Sequence, residues 1–343
     1  MSLIPFLLSL VSCQQGGFAN LDIAGFQELV AKPEVAALDV RTADEYAAGH
    51  LPWAANIDWY AEDFLQKVEA AYPKATPLAV YCRSGRRSAE AAASLVKAGY
   101  TVSNLKGGYL AWSEVRLPET RYAVETFFTR QGLPVSIALI KHGTLALRYK
   151  GLTFHVDPVS GLGKPTDYAA EFPKADVLLV THEHGDHFDK EAIAALSEAG
   201  KTLLVTNARC AEMLGYGAVL ANGDRCTLPG EILLEAVPAY NYTEGRTQFH
   251  PKGRDNGFVL NVDGLHIYVA GDTEDIPEMA ELKDIDLAFL PVNQPYTMTV
   301  EQCVHAAGMI RPKVLIPYHV SQTDLSALPG LLPEVDVRLR EMQ

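Results

Sequence analysis

The stretch Leu178-Leu179-Val180-Thr181-His182-Glu183-His184-Gly185-Asp186-His187 decides the reading of this chain. Its first three residues form an apolar run of strand type. Four ligand-type side chains follow at once: His182, His184, Asp186 and His187. A cluster at the exit of a buried strand sits where α/β folds place their chemistry. Imidazole and carboxylate donors suit Zn²⁺, and also Mn²⁺ or Fe²⁺. The spacing predicts that His182 and His184 face one ion while Asp186 and His187 face another. Gly185 is expected to give the backbone room to turn between the pairs.

Four donors do not fill two metal sites, so more ligands are expected downstream. Ile267-Tyr268-Val269-Ala270 ends at Gly271-Asp272-Thr273, and Val314-Leu315-Ile316-Pro317 ends at Tyr318-His319. Three strand-like runs thus each deliver a metal-type residue at their exit, which would build a site at one edge of a sandwich. The set His182-x-His184-x-Asp186-His187, Gly271-Asp272-Thr273 and His319 resembles the motifs of the metallo-β-lactamase superfamily over about residues 135–325. That resemblance implies an αββα sandwich. It also implies that His182 and His184 hold a first metal, that Asp186, His187 and His319 hold a second, and that Asp272 bridges them. Asp157, in His155-Val156-Asp157-Pro158, resembles the family's structural Asp.

Within the superfamily, Val237-Pro238-Ala239-Tyr240-Asn241, Gly271-Asp272-Thr273-Glu274, Leu290-Pro291-Val292 and Tyr296-Thr297-Met298-Thr299 resemble one branch. It contains ascorbate-6-phosphate lactonase-like and N-acyl-phosphatidylethanolamine phospholipase D-like proteins. A His usually follows Pro-Ala-x there, and this chain has Asn241. His250 is the nearest histidine that would substitute as ligand; otherwise one metal alone is tightly held. Tyr240, Tyr242 and Tyr296 are expected as pocket walls or as packing. Two divalent ions, Zn²⁺ first and Mn²⁺ or Fe²⁺ as alternatives, would acidify a water and polarise a small electrophile. Asp186 would orient that water. Lactone, ester, amide, thioester and phosphodiester substrates all fit.

A second motif lies upstream. Leu78–Tyr81 reads as a buried strand and Ser88–Lys97 as an Ala-rich helix stopped by Gly99. Between them runs Cys82-Arg83-Ser84-Gly85-Arg86-Arg87-Ser88. Loop amides, the helix start and the arginines are expected to favour a Cys82 thiolate. With Asp39-Val40-Arg41, Glu45-Tyr46, Gly49-His50-Leu51-Pro52, Ala55-Asn56-Ile57, Lys106-Gly107-Gly108 and Trp112, this resembles the rhodanese domain over about residues 20–114. Trp53 stands where a Gly is usual. The resemblance implies a parallel-sheet domain carrying persulfide sulfur on Cys82, with Arg87 in the catalytic loop and donor or acceptor thiols as partners. Related arsenate and phosphate enzymes use a loop one residue longer, so the short loop favours sulfur transfer.

Length and composition frame both motifs. The 343 residues suggest two domains, and 48% hydrophobic content supports large cores. A net charge of -13 without a basic tract argues against nucleic acid as a partner. Cys13, Cys82, Cys210, Cys226 and Cys303 are odd in number and widely spaced, so no disulfide framework is implied. Leu3–Val11 is too short to span a bilayer but has the character of a signal-peptide core. Leu10-Val11-Ser12-Cys13 resembles the bacterial lipobox, although no Lys or Arg precedes it. A lipid on Cys13 would be the sole membrane attachment and would place the protein in the cell envelope; the alternative is cytoplasmic. The expected divisions are a leader at 1–17, a rhodanese-like domain at 18–116, a linker at 117–134 and a hydrolase domain at 135–343. Val35–Val40 is expected as a strand of the first domain. Ile137–Ile140, Leu145–Tyr149 and Leu152–Val156 are expected as an antiparallel meander opening the second.

Three functions follow. The first is a metal-dependent hydrolase fused to a sulfurtransferase. The second is an iron-dependent persulfide dioxygenase, which combines the same two folds around one Fe²⁺. The third is a hydrolase with a rhodanese unit that binds or senses without turnover.

Overall fold

The apolar runs of the N-terminal third become parallel strands in the computed structural model. It describes residues 17–342 apart from 31, 33, 48–49, 52–53, 115–121, 131–133 and 151. Cys13 and its apolar run, Gly49, Pro52 and Trp53 lie outside the described residues. The chain divides into two units, Met1–Leu117 and Pro118–Gln343. Among the described residues, no helix is long and apolar enough to cross a membrane.

The first unit runs β1 (Ala19–Leu21), α1 (Ile23–Val30), β2 (Ala36–Asp39), α2 (Ala43–Ala47), β3 (Ala55–Asn56), α3 (Phe64–Ala71), β4 (Leu78–Tyr81), α4 (Arg86–Lys97), β5 (Val102–Leu105) and α5 (Gly108–Glu114). Its parallel sheet has the order β1-β5-β4-β2-β3. Every residue of β4 is buried, as a central strand covered on both faces requires. Helix α4 buries Ser88, Ala91, Ala92 and Leu95, one stripe at helical spacing. Gly99 ends it with a φ of +94°.

The second unit begins with β6 (Ala123–Phe128), β7 (Pro134–Lys141), β8 (Thr144–Tyr149), β9 (Leu152–Val156), α6 (Tyr168–Glu171), β10 (Val177–Val180), α7 (Lys190–Leu196), β11 (Leu203–Thr206), α8 (Ala208–Leu214) and β12 (Ala218–Val219). It continues with β13 (Arg225–Leu228), β14 (Ile232–Ala239), β15 (Asp255–Val262), β16 (Leu265–Val269), β17 (Leu287–Pro291), α9 (Val300–Ile310), β18 (Val314–Tyr318), α10 (Leu328–Leu331) and β19 (Asp336–Val337). These strands form two seven-stranded mixed sheets, β12-β11-β10-β9-β8-β7-β6 and β13 through β19 in chain order. They make the αββα sandwich. Helix α9 starts with a Thr299–Gln302 capping box and packs Cys303, Ala306, Ala307 and Ile310 on the second sheet.

The expected linker at 117–134 is corrected here: Ala123–Phe128 is a strand, paired antiparallel with β7. Mixed charge and flanking prolines hide it in the sequence. Its Glu125 accepts from Arg338 and Arg340, each at 2.6 Å, just after β19. The last strands of the two sheets are thereby stapled together. Strands β13 to β16 form an antiparallel run.

His155 in β9 is fully buried among Tyr168 and Phe172, and neither ring nitrogen has a hydrogen-bond partner. Burial drives its pKa from 6.5 down to about 3. The folded state thus keeps it neutral while the unfolded chain protonates it below about pH 6.5, so acid draws stability away. Urea melts of His155→Leu between pH 6 and 4.5 are expected to lose a stability slope of about 1.4 kcal/mol per pH unit. A slope equal to that of the native chain would contradict this.

Candidate functional site

Strand register sets the site. Pairing of β9 with β10 places Val156 beside Leu179, so Asp157 and Thr181 leave the sheet together. The buried Asp157 carboxylate accepts from Thr181 N (2.8 Å) and Thr181 Oγ1 (2.7 Å). It also meets His187 Nδ1 at 2.8 Å. Asp189 caps α7 and closes the ligand loop. On the second sheet, Gly271 turns at φ +66° after β16, where a Cβ would lie 2.6 Å from Asn256 O. Asp272 follows it. His319 leaves β18 at φ +51°, and its amide donates to His142 O (3.0 Å) at the β7–β8 turn.

Two four-residue groups result, each with its donor atoms within 4.8 Å of one another. One is His182, His184, His250 and Asp272; the other is His142, Asp186, His187 and His319. Asp272 is 2% exposed and lies between them. Its Oδ2 is 3.9 Å from His182 Nε2, 3.4 Å from His250 Nε2 and 3.1 Å from His319 Nε2. Its Oδ1 is 3.2 Å from His187 Nε2.

The outer ring nitrogens are already engaged. Thr181 Oγ1 donates to Asp157, so at 2.9 Å it accepts from His182 Nδ1. His187 Nδ1 meets Asp157 and His250 Nδ1 meets Asp255 (3.1 Å). Nδ1 carries the proton in each case, which turns an Nε2 lone pair inward. The buried Nε2 atoms of His182, His187 and His319 have no hydrogen-bond partner. Burial orphans such atoms only at a cost, and divalent metals satisfy them. The residues fit two metal ions.

The electrostatics agree. Burial and then the charge of His187 hold His182 well below an ordinary imidazole pKa. Burial opposes a charge on His187 too, but Asp272 and Asp157 overcome it and raise its pKa. The field that favours a proton there favours a metal cation in its place. Asp186 is pulled down despite burial by the hydrogen bond from His142 and by the neighbouring His319 and His187 imidazoles.

A family model described as the beta-lactamase superfamily domain matches residues 136–319. The chain belongs to the beta-lactamase superfamily. A UPF0173 metal-dependent hydrolase of Geobacillus sp. is 30% identical over 208 residues, covering 56% of this chain and 91% of that protein. A crystal structure assigned as a metal-dependent hydrolase from Parabacteroides distasonis is 50% identical with TM-score 0.62. It covers 65% of this chain and 100% of that one. Igni18, a metallo hydrolase from Ignicoccus hospitalis, is 26% identical with TM-score 0.52, covering 60% and 95%. A rhodanese-like domain model matches residues 22–115.

Several expectations for the superfamily domain need adjusting. Asn241 leaves its place in the first group to His250, the expected substitute; its Nδ2 donates to Tyr296 O (2.7 Å) and its amide to His250 O (2.8 Å), and this ties down the loop that delivers His250. Gly185 has an ordinary φ and open space around it, so the turn does not need a glycine. Gly143 has the steric role instead, because a Cβ there would lie 2.5 Å from the His187 ring. Tyr240 is buried and bonded to Glu278, while Tyr242 and Tyr296 are half exposed. None of the three lines the cleft beside His142 and His319. His142 and Asp255 were not anticipated. The strand-exit logic applied to Ile137–Ile140 would have pointed to His142.

The cysteine loop also departs from expectation. Cys82 Sγ is buried and accepts from Gly85 N (3.2 Å) and Ser88 Oγ (3.4 Å). Gly85 holds φ +92° in that turn. A Cβ on Gly108 would overlap the Cys82 carbonyl, so the Gly107-Gly108 pair allows α5 to approach. Arg83 and Ser84 are exposed. The arginines do not supply the cradle: Arg86 pairs with Glu90 (3.3 Å), and Arg87 forms a two-pronged pair with Glu45 at 2.7 Å. That pair lowers the Glu45 pKa to about 2. Arg87 thus fixes the loop to α2 through Glu45 while its charge still acts on Cys82.

Gly143→Ala is expected to weaken Zn²⁺ binding at the His142 group roughly tenfold by displacing His187. Competition with a chromophoric chelator measures this. Native affinity at both sites would contradict the steric argument.

Proposed function

We propose that this chain is a binuclear metal-dependent hydrolase of small esters, lactones or phosphodiesters, with a sulfurtransferase unit in front of it. The observation that carries the first part is the buried Asp272 carboxylate set between two groups of inward-facing histidines. Divalent ions held by these two groups, Zn²⁺ in our reading, would acidify water and polarise the electrophile. Asp272, 2% exposed, is too enclosed to meet substrate, whereas the Asp186 side chain is 34% exposed. Asp186 Oδ2 is held 3.1 Å from His142 Nε2 and 3.4 Å from His319 Nε2. Its other oxygen is left to orient the attacking water and take its proton. The two full ligand groups favour hydrolysis over the one-iron dioxygenase reading. The branch containing ascorbate-6-phosphate lactonase-like proteins fits the Gly271-Asp272-Thr273-Glu274 segment.

Removal of metal by chelation should abolish hydrolysis of a lactone, phosphodiester and thioester panel, and Zn²⁺ or Mn²⁺ should restore it. Asp186→Asn should lower kcat by about 100-fold or more. Hydrolysis that persists without metal would defeat the reading, as would iron-dependent oxygen uptake with a glutathione persulfide.

The sulfur chemistry rests on the Gly85 amide and Ser88 hydroxyl that face Cys82 Sγ. A Cys82 thiolate attacks the outer sulfur of thiosulfate, forms the persulfide and releases sulfite. Cyanide then removes that sulfur as thiocyanate and restores the thiolate. Cys82→Ala should eliminate thiocyanate formation; transfer at the native rate would contradict the assignment.

A further inference from the structure

Lys141 ends β7, next to His142, and its side chain is fully buried. Burying an ammonium is costly unless polar atoms surround it. Here it donates to four main-chain carbonyls of a single loop: Ser160 (3.2 Å), Gly161 (2.8 Å), Leu162 (3.1 Å) and Lys164 (2.6 Å). Three ammonium protons are shared among four acceptors, so the loop is wrapped around the charge. Asp189 Oδ2 accepts from Ser160 N (2.8 Å), and Thr166 N donates to Ser160 O (2.9 Å), which closes the loop.

The wrapped loop is strained. Leu162 has φ +62° and Gly163 φ +63°. A branched residue in the left-handed region is uncommon, and such outliers persist where their surroundings hold them and function uses them. Leu162 is moreover 44% exposed. It and Gly163 line a cleft of about 510 Å³ that also reaches His142 and His319. Pro317, Val320 and Met342 add to its apolar lining, and Ser321, Arg340 and Glu341 supply its polar lining. The volume lies in the range for small-molecule sites, roughly 300–1,000 Å³.

We propose that Ser160–Lys164 is the specificity wall of the metal cleft. Leu162 contacts an apolar acyl chain of the substrate, and Lys141 is the positioning residue that holds Leu162 against it. This rests on the hydrolase reading above and adds the substrate class: carboxylic esters or thioesters with an apolar acyl group. The cation also explains the loop conformation, because its carbonyls must turn inward to reach Nζ, and that turns the Leu162 side chain outward.

Product carboxylates test the wall without relying on turnover. Acetate, butyrate and octanoate are titrated calorimetrically into the Zn²⁺-loaded full chain. The native protein should bind octanoate at least about tenfold more tightly than acetate. Leu162→Ser should reduce that ratio to about two, whereas Leu331→Ser, at an exposed apolar residue elsewhere, should keep it. Lys141→Met should lower the ratio as Leu162→Ser does, and the double variant should show no further loss. Amides of residues 160–164 should exchange faster in Lys141→Met but not in Leu162→Ser. If Lys141→Met does not fold, Leu162→Ser alone decides. A Zn²⁺-loaded native protein without chain-length preference, or a Leu162→Ser ratio equal to native, overturns the proposal alone. A protein that takes up no Zn²⁺ overturns the metal reading beneath it as well.

Discussion

The structure of the second unit depends on one buried carboxylate. Asp272 is enclosed by the Nε2 atoms of His182, His187, His250 and His319, all within 3.9 Å of its oxygens. A carboxylate in that position needs cations, and imidazoles that face inward need donors or metal ions for their lone pairs. Protons satisfy the arrangement only in part, because burial keeps His182 neutral. Metal ions satisfy the carboxylate and the lone pairs together.

Everything around Asp272 serves that arrangement. β9 and β10 bring Asp157 and Thr181 to fix His187 and His182, and β15 brings Asp255 to fix His250. The amide of Tyr240 and the hydroxyl of Thr273 bond at 3.1 Å, and Glu274 accepts from Tyr242 N and Thr243 N at 2.8 Å. The segment carrying Asp272 is therefore zipped to the loop carrying His250. The first unit follows the same principle on a smaller scale: Cys82 leaves β4, and the start of α4 supplies its polar partners.

Much of this was legible in the sequence because strand exits are local signals. The runs before Thr181, Gly271 and Tyr318 are apolar, short and followed at once by ligand-type residues, so the strands and their metal-facing residues could be read together. The αββα class followed from the same motif set. What remained hidden depends on contacts between distant segments. Asn241 looked like a vacancy because the sequence does not show that its amide and side chain fold the 241–250 loop back. The pairing of Arg87 with Glu45, forty-two positions earlier, is invisible to local spacing. His142 carries the strand-exit signal after Ile137–Ile140, but Lys141 sets it one position beyond the apolar run, at a hairpin tip. β6 was mistaken for linker because its pairing with β7, rather than its own composition, makes it a strand.

Asp272 would separate two metal ions. Anomalous diffraction from crystals of the Zn²⁺-loaded protein, with zinc content measured on the same sample, tests it most directly. Two zinc peaks per chain are expected, one within the His182–His184–His250 group and one within the His142–Asp186–His187–His319 group, with Asp272 between them. A single peak, or two peaks with Asp272 bound to neither, would contradict it.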